Sequence, residues 1–389
     1  MTLLVRHKDF RRLFVGNSVS LLGSSVTTVA LSLAAVVSLH ASPIEMGLLG
    51  AAGFLPHLAL GLPAGVWVDR LPYKRILVLA DLGQLLLIGS VPLAAVFGAL
   101  TLAQLCAVVV LAGVCALFDA VACQSFTPML VPREQLLPAN SALMLTSSTV
   151  NVAGSALGGG LVLLFAAPLA MAVDAGSFLV AALCKLRITT PGLPAASVRR
   201  KADLFGGLCI AFTHPVLRPV TIAATLGALG GQMQNAVLVL YLVRVLDFSP
   251  WLVGLAVTIA GVAGILGALG TPTVTRRLGP GRTFVLGMLL SSFAGLVLAA
   301  GPALLSQVLR GVGPSLYGVN QQTFRQTLVA PDQLSRVNAG WRFLVYGTQP
   351  VGAVLGGLLG TMDLRVTLIV SAALMLVGTA LALPVTRSV

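Results

Sequence analysis

Long, nearly uninterrupted apolar runs are the feature that most constrains this chain. Runs of roughly 20 residues or more recur along almost all of its 389 residues, and each is long enough to cross about 30 Å of hydrocarbon as a helix. Only 9% of the residues are charged, whereas a soluble domain averages about 25%. The sequence therefore predicts an all-α polytopic membrane protein.

The apolar runs predict twelve spans, numbered in chain order. They cover residues 13–39, 44–68, 76–98, 101–126, 138–165, 168–187, 216–243, 250–274, 283–300, 302–324, 338–360 and 364–385. The longest polar segment separates the sixth span from the seventh. We therefore predict an N-terminal six-helix bundle over 1–187, a cytoplasmic linker over 188–215 and a C-terminal six-helix bundle over 216–389.

Lysine and arginine placement predicts the orientation in the membrane. With the N-terminus inside, all but four of the 24 basic residues fall in cytoplasmic segments, Lys185 among them, and only Arg244 and Arg365 fall in outer loops. Such a bias places both termini in the cytoplasm. The net charge of +13 is then a topology signal, and we expect no nucleic-acid partner.

The two halves carry an internal repeat. QSFTPMLVPREQLLPAN at 124–140 returns as QTFRQTLVAPDQLSRVN at 322–338, a shift of 198 residues. The same shift carries GSALGG at 154–159 onto GAVLGG at 352–357. Parallel repeats of this kind predict pseudo-symmetric bundles with a binding site near the middle of the membrane, where the repeats meet.

The stretch GVWVDRLPYKR, residues 65–75, crowds four charges between spans 2 and 3, and a shift of 207 maps its RLPYKR onto RLGPGR at 277–282. With six plus six spans, it resembles the motif G-x-x-x-D-R-x-G-x-[RK]-[RK] of the major facilitator superfamily. Pro72 stands where the motif has a glycine. The matching residues are Gly65, Asp69, Arg70, Lys74 and Arg75.

The resemblance implies a major facilitator fold in which Asp69 is a conformational latch. A carboxylate there would lie against the N-terminus of span 11, where the helix dipole favours an anion by about 0.3–1 kcal/mol. Arg70 and Arg75 would orient Asp69 or pair with other acids.

Within the superfamily, FRRLFVGNSVSLLGSSVT and LVPREQLLPANSAL are similar to segments of bacterial exporters of drugs, macrolides and siderophores. That likeness implies multidrug-type efflux of a small molecule by alternating access in the bacterial cytoplasmic (inner) membrane, with protons entering in exchange as in an antiporter. Two residues depart from the exporter pattern. Ser24 stands where an acid is common, and Ser155 replaces a proline in GSALGG. A proton-coupled uptake symporter of the same fold therefore stays open.

We single out six ionisable residues within the predicted spans, where a charge costs roughly 2.5–3.5 kcal/mol at the bilayer centre and normally faces protein or water. They are His57, Asp81, Asp119, Asp174, Arg310 and Arg342. Asp119 is the proton-coupling candidate, because the resemblance places span 4 along the cavity; a structural acid is the alternative. For Asp81 and Asp174 we expect structural pairing.

Polar residues at helical spacing predict the cavity and substrate positions. Arg310 shares a stripe of span 10 with Tyr317 and Gln321, and could pair with Asp119, attract an anionic group of the substrate, or be structural. Asn17 and Ser24 recur on span 1, and Gln232 and Asn235 on span 7; the family places both helices along the cavity.

The repeated glycine motifs predict close helix packing, since small residues let helix backbones approach and slide. These glycines are Gly154, Gly158 and Gly159 on span 5 and Gly352, Gly356 and Gly357 on span 11.

Enzyme chemistry is not indicated. No HExxH or GxSxG motif occurs, four scattered histidines do not predict a metal site, and no Walker motif predicts ATP hydrolysis. We expect no cofactor, and a monomer in the lipid bilayer whose partners are a small-molecule substrate and protons.

Overall fold

In the computed structural model the chain is helical. The structure describes residues 7–68, 70–132, 135–165, 167–191, 204–330 and 333–388, and no strand occurs in those ranges. In hydrocarbon the backbone N–H and C=O groups must bond internally, and a helix does this within one segment. Ten of the helices in the described ranges are long and apolar enough to cross a membrane. The predicted all-α membrane class is confirmed.

Helices occupy the positions of all twelve predicted spans in the predicted order, with ends within about five residues of those expected. They are Lys8–Ser38, Pro43–Ala52 with Leu55–Val68, Tyr73–Val96, Leu102–Leu130, Leu136–Phe165, Ala167–Leu186, Leu217–Arg244, Pro250–Leu278, Pro280–Ala299, Ala303–Leu328, Leu334–Gly360 and Leu364–Ala382. A short helix, Leu204–Thr213, precedes span 7, and Val385–Ser388 follows span 12. Residues 192–203 of the predicted linker lie outside the described ranges.

Span 2 is broken, which the sequence prediction of one continuous helix missed. Its first helix ends at Ala52, residues Gly53 and Phe54 form a turn, and the second helix begins at Leu55. The cause is Pro56, which lacks an N–H group and whose ring clashes with the carbonyl four residues earlier, that of Ala52. Ser42 begins the span with a capping box, in which its hydroxyl accepts from the N–H of Glu45.

The chain divides into two compact units. The first takes the described residues of Met1–Ala41, Leu55–Arg199 and Ser249–Leu255; the second takes those of Ser42–Phe54, Arg200–Phe248 and Ala256–Val389. Each unit therefore contains one short segment from the other half of the sequence. The first helix of span 2 packs on spans 7 and 11 within the second unit.

Each unit has its own apolar core, and the cores are related by the repeat. Phe126 is fully buried in the first core, where its ring lies 6.2 Å from that of Tyr73. The shift of 198 carries Phe126 onto Phe324, which is 1% exposed in the second core and lies 6.1 Å from Phe284. Residues related by the sequence repeat are thus packed in equivalent positions in the two cores.

Span 3 shows how the sequence separates a lipid face from a protein face. Leu79, Leu86 and Leu93 follow one another at intervals of seven residues and are 67%, 73% and 63% exposed. An interval of seven residues returns to nearly the same side of a helix. Asp81 and Gln84 lie on the protein side and are buried. This orientation directs both polar side chains into the first unit.

Candidate functional site

Three charged side chains meet inside the first unit, and we call them the charge cluster. Lys185 on span 6 donates to Oδ1 of Asp119 on span 4 at 2.6 Å, and to Oδ1 of Asp81 on span 3 at 3.0 Å. The side chains of Lys185 and Asp81 are each 1% exposed, and that of Asp119 is 14% exposed. So little water reaches the cluster that the attraction between its charges is only weakly screened.

Lys185 is the residue that sequence reasoning missed, because it was counted among the cytoplasmic topology charges. Span 6 continues to Leu186, and Lys185 follows Asp174 by eleven residues, about three helical turns. Both residues therefore lie on the same buried face, and that spacing is the signal that could have revealed Lys185. Asp119 pairs with Lys185, and its suggested pairing with Arg310 stays a prediction.

Asp174 lies apart from the cluster's hydrogen bonds. Its Oδ1 accepts from the hydroxyl of Ser177 at 3.1 Å, and the carboxyl is almost completely buried. Gly23 of span 1 makes room for it, because a Cβ at that position would lie 2.3 Å from Asp174 Oδ1. His57 and Arg342, the other ionisable residues predicted within spans, are exposed.

A polar cavity of about 870 Å³ lies beside the charge cluster in the first unit. It brings together Asp119 and the two predicted span 1 residues, Asn17 and Ser24. Its other polar wall residues come from spans 1, 3, 4 and 5. They are Ser20, Gln84, Gln124, Thr127 and Ser147. Asp119 thus joins the buried pair formed by Lys185 and Asp81 to a space that a solute or water could enter.

The second unit has a cavity of its own, of about 420 Å³. All five residues predicted there line it together, along with Trp341, Tyr346 and Gln349 from span 11. The five are Gln232, Asn235, Arg310, Tyr317 and Gln321.

A chain of amides holds Arg310 in this cavity. Its Nη2 donates a short hydrogen bond to Oδ1 of Asn235, and Nδ2 of Asn235 donates to Oε1 of Gln232 at 3.3 Å. The buried Nη1 of Arg310 has no hydrogen-bond partner among the described residues. One side of the guanidinium is therefore fixed by protein and the other is left unsatisfied.

A second arginine packs against Trp341, which lines the cavity. Arg325 lies over the ring of Trp341 with its guanidinium carbon 3.9 Å from the centroid, and its Nε donates to Oδ1 of Asn338 at 3.0 Å. Cation–π contact of this kind favours a fixed indole plane. The Nε1–H of Trp341 is buried and has no partner in the described part of the chain.

Only some residues of the predicted latch lie in the part of the chain that the structure describes. Asp69 lies outside the described residues, and Gly65 lies within the second helix of span 2. Arg70 and Arg75 are exposed, and neither side chain has a hydrogen bond or ion pair with a residue that the structure describes. Lys74 donates to the carbonyl of Ile188 at 2.6 Å. The latch itself stays a prediction.

Asp9, which sequence analysis did not single out, ties the start of span 1 to the chain after span 6. Its Oδ2 accepts from the backbone N–H and the hydroxyl of both Thr189 and Thr190, at 2.7 to 3.0 Å. Its Oδ1 pairs with Arg12 at 2.8 Å. Together with the bond from Lys74 to Ile188, this holds three spans together at one end of the first unit.

The first glycine motif packs span 5 on span 1 and on the start of span 8. A Cβ on Gly154 would lie 2.4 Å from the Cβ of Ser25, and one on Gly158 would lie 3.1 Å from the backbone of Val26. A Cβ on Gly159 would lie 2.8 Å from the Cα of Gly254. These contacts all fall within the first unit.

The second motif repeats the arrangement in the second unit, with span 7 and the start of span 2. A Cβ on Gly352 would lie 2.4 Å from the carbonyl of Leu229, and one on Gly356 would lie 2.6 Å from that of Met233. A Cβ on Gly357 would lie 2.7 Å from the carbonyl of Pro43. In both motifs helix backbones approach so closely that no side chain fits between them.

Twelve spans in two repeat-related sets, each set with a polar cavity, define a membrane transporter. The chain matches the family model of the Major Facilitator Superfamily over residues 13–319 and again over 220–389, and it belongs to that family. Members of this family are transporters, so the chain is a transporter and not an enzyme.

Two curated relatives resemble the chain over most of its length. The multidrug efflux pump Tap of Mycolicibacterium fortuitum is 28% identical over 357 residues, covering 86% of this chain and 85% of that protein. The enterobactin exporter EntS of Salmonella typhimurium is 28% identical over 380 residues, covering 93% of this chain and 88% of that protein.

Solved structures share the fold at low identity. A bacterial homologue of the iron transporter ferroportin, in an inward-facing state, superposes with a TM-score of 0.78 at 18% identity, covering 97% of this chain and 98% of that one. The nucleoside transporter NupG superposes with a TM-score of 0.79 at 12% identity and the same coverage. At these identities the likeness establishes the fold alone.

Proposed function

We propose that this protein is a secondary exporter that moves a small organic molecule out of a bacterial cell by alternating access, in exchange for protons. The cargo class is that of drugs, secondary metabolites or siderophores. Protons are carried by Asp119, and the protein works as a monomer in the cytoplasmic membrane with both termini inside.

The charge cluster is the observation that carries the proposal. With Asp81 and Asp119 ionised and Lys185 protonated, the cluster has a net charge of −1, and one added proton makes it neutral. A net charge inside the membrane is costly, whereas a neutral cluster is much less so. The cluster is therefore suited to take up and release one proton as its surroundings change.

Asp119 is the member best placed to exchange that proton. Its carboxyl is the most exposed of the three and lines the polar cavity, whereas Asp81 and Lys185 are sealed behind it. Protonation of Asp119 would weaken its bond to Lys185 and leave the ammonium to Asp81 alone. A shift of that ammonium between two spans would couple proton binding to helix movement.

The direction of transport is supported by the two relatives, one described as an efflux pump and the other as an exporter. The runner-up is a proton-coupled uptake symporter of the same fold. It is favoured by Ser155, which replaces the proline of the exporter motif, and by Ser24, which stands in place of an acid on span 1.

Accumulation of labelled compounds in pump-deficient cells tests the proposal. The panel would hold macrolides, fluoroquinolones, chloramphenicol, cationic dyes and siderophores, each with and without an uncoupler. We expect lower accumulation of at least one compound, and both the uncoupler and Asp119→Asn should abolish that difference, because Asp119 carries the proton.

Asp174→Asn is the matched control, because it removes a buried acid that bonds to Ser177 rather than to Lys185. It should leave uncoupler-sensitive transport intact. Raised accumulation of a compound would establish uptake and overturn export. Export that survives both the uncoupler and Asp119→Asn would overturn proton coupling through this residue.

A further inference from the structure

We infer that the cavity of the second unit selects an organic acid, whose carboxylate takes the place of the missing counter-ion of Arg310. The inference rests on the proposed function, because it names the class of cargo that the transporter carries. It concerns Arg310, Asn235, Trp341 and Gln321, none of which belongs to the charge cluster.

The first step is the charge balance of the second unit. Spans 7 to 12 contain no aspartate or glutamate at all. Glu45, on the part of span 2 that belongs to this unit, is held in the capping box of Ser42. Asp247 and Asp363 lie in the connections after spans 7 and 11 and are exposed. Among the described residues of this unit, then, no carboxylate is available to Arg310.

A guanidinium with a buried Nη1 and no carboxylate beside it is a costly arrangement, since an arginine in a membrane span normally pairs with an acid or faces water. The neutral amide of Asn235 satisfies Nη2 but supplies no negative charge, and Nη1 stays without a partner among the described residues. Arg310 is therefore held in position yet electrostatically uncompensated. A bound anion would remove that deficit.

The geometry favours a carboxylate among anions. A guanidinium offers N–H groups in a fixed planar fork that matches the two oxygens of a carboxylate. The bond to Asn235, itself held by Gln232, fixes the rotation of this fork before cargo arrives. Pre-orientation of this kind lowers the entropic cost of binding.

Two further polar atoms of the cavity indicate which other groups the cargo carries. The Nε1–H of Trp341 and the Oε1 of Gln321 are buried, and both lack a partner in the described part of the chain. Gln321 is only 7% exposed and lines the same cavity. The cargo is therefore an acid that also carries a hydrogen-bond donor, such as a hydroxyl or amide N–H, and fits within about 420 Å³.

Binding to the purified full-length protein tests the inference independently of transport direction. The probes are matched pairs that differ only in charge: N-acetylphenylalanine, N-acetylleucine and salicylate, each against its neutral amide. Affinity would be measured by calorimetry and by quenching of tryptophan fluorescence. We expect at least one acid to bind at least tenfold more tightly than its amide.

Two substitutions should erase that preference by different routes. Arg310→Gln removes the cation, whereas Asn235→Asp keeps it and supplies a built-in carboxylate at the oxygen that Arg310 already contacts. Arg365→Gln, outside the cavity, is the matched control and should change nothing. A melting temperature for Asn235→Asp equal to or above that of the parent would show that this variant is folded.

The inference is overturned if no acid outbinds its amide in any pair, or if the preference survives both Arg310→Gln and Asn235→Asp. Its failure is distinct from failure of the proposed function. If the protein binds acids selectively but its transport is insensitive to the uncoupler, the proposed cargo class stands and proton exchange is refuted. If export is driven by protons but binding shows no preference for acids, proton exchange stands and the proposed cargo class is refuted.

Discussion

Lys185 in the first unit and Arg310 in the second are cations within membrane spans, and they have opposite kinds of partner. In the first unit Lys185 meets two carboxylates from spans 3 and 4. In the second unit Arg310 meets an amide, and the spans around it contain no acid. The first unit thus has one more carboxylate than its cation needs. The second unit has no carboxylate in spans 7 to 12 to balance Arg310.

The repeat makes this difference sharper. A shift of 198 carries Asp119 onto Tyr317, and a shift of 207 carries Asp81 onto Met288. Met288 is fully buried, and Tyr317 packs edge-on against Phe284 with centroids 6.3 Å apart. Where the first unit has a charged pair of acids, the second has apolar and aromatic packing. The shared scaffold therefore specifies helix positions and leaves the chemistry of each cavity free to differ.

The largest expected difference concerns stability. Lys185→Met leaves two buried carboxylates facing each other without a cation, and should lower the free energy of unfolding by about 3–5 kcal/mol. Arg310→Met removes a charge that has no carboxylate partner, and should stay within about 1 kcal/mol of the parent, since it also relieves a desolvation cost. Unfolding in detergent, followed by circular dichroism, would compare the two variants.

Adding Asp81→Asn to Lys185→Met should recover part of the loss, because only one acid then remains. Equal losses for Lys185→Met and Arg310→Met would show that both cations are compensated to the same degree, and the contrast between the units would disappear.

The glycine motifs provide a place where the two units should behave alike. Gly159→Ala and Gly357→Ala each place a Cβ within 3 Å of backbone atoms of the neighbouring helix, so each should cost about 1–3 kcal/mol through overpacking. Gly318→Ala is the control, because its Cβ would meet nothing within 4 Å. Melting temperatures of the three variants would rank them.

A large cost for one glycine motif and none for the other would break the symmetry of packing that the repeat predicts. A cost for Gly318→Ala as large as the other two would mean that helix flexibility, rather than close contact, decides the result.

The smallest effect is expected for Asp81→Asn. The amide can still accept from Lys185 through its oxygen, and Asp119 still balances the ammonium, so the cluster becomes neutral rather than unpaired. We expect a stability change of less than about 1 kcal/mol. Uncoupler-sensitive transport should weaken, because protonation of Asp119 would then take the cluster from neutral to +1 rather than from −1 to neutral. Transport equal to that of the parent would show that the net charge of the cluster does not govern proton uptake.

The sequence predicts the helices well because each is a long apolar run whose ends are marked by charges, proline or glycine. It also locates Asp119 and Arg310, since single charges within apolar runs are conspicuous. It does not predict their partners. Lys185 lies 66 residues from Asp119, and Asn235 lies 75 from Arg310, and no local pattern encodes such pairings.

Lys185 was also hidden by its position one residue before the end of span 6, where a lysine is typical of a membrane flank. The break in span 2 was missed for a similar reason, since Pro56 sits inside an apolar run that otherwise continues. In both places the composition of the whole segment is typical of one structure, whereas a single residue decides the local structure that forms.

The separation of the charge cluster along the chain has a consequence for biosynthesis. Asp81 and Asp119 are synthesised before Lys185, by 104 and 66 residues, so both acids enter the bilayer ahead of their cation. A nascent chain that holds only spans 1 to 5 carries two carboxylates with no ammonium to neutralise them. Insertion of span 6 therefore supplies the cation that both acids need, and the first half of the protein can complete its charge balance only then.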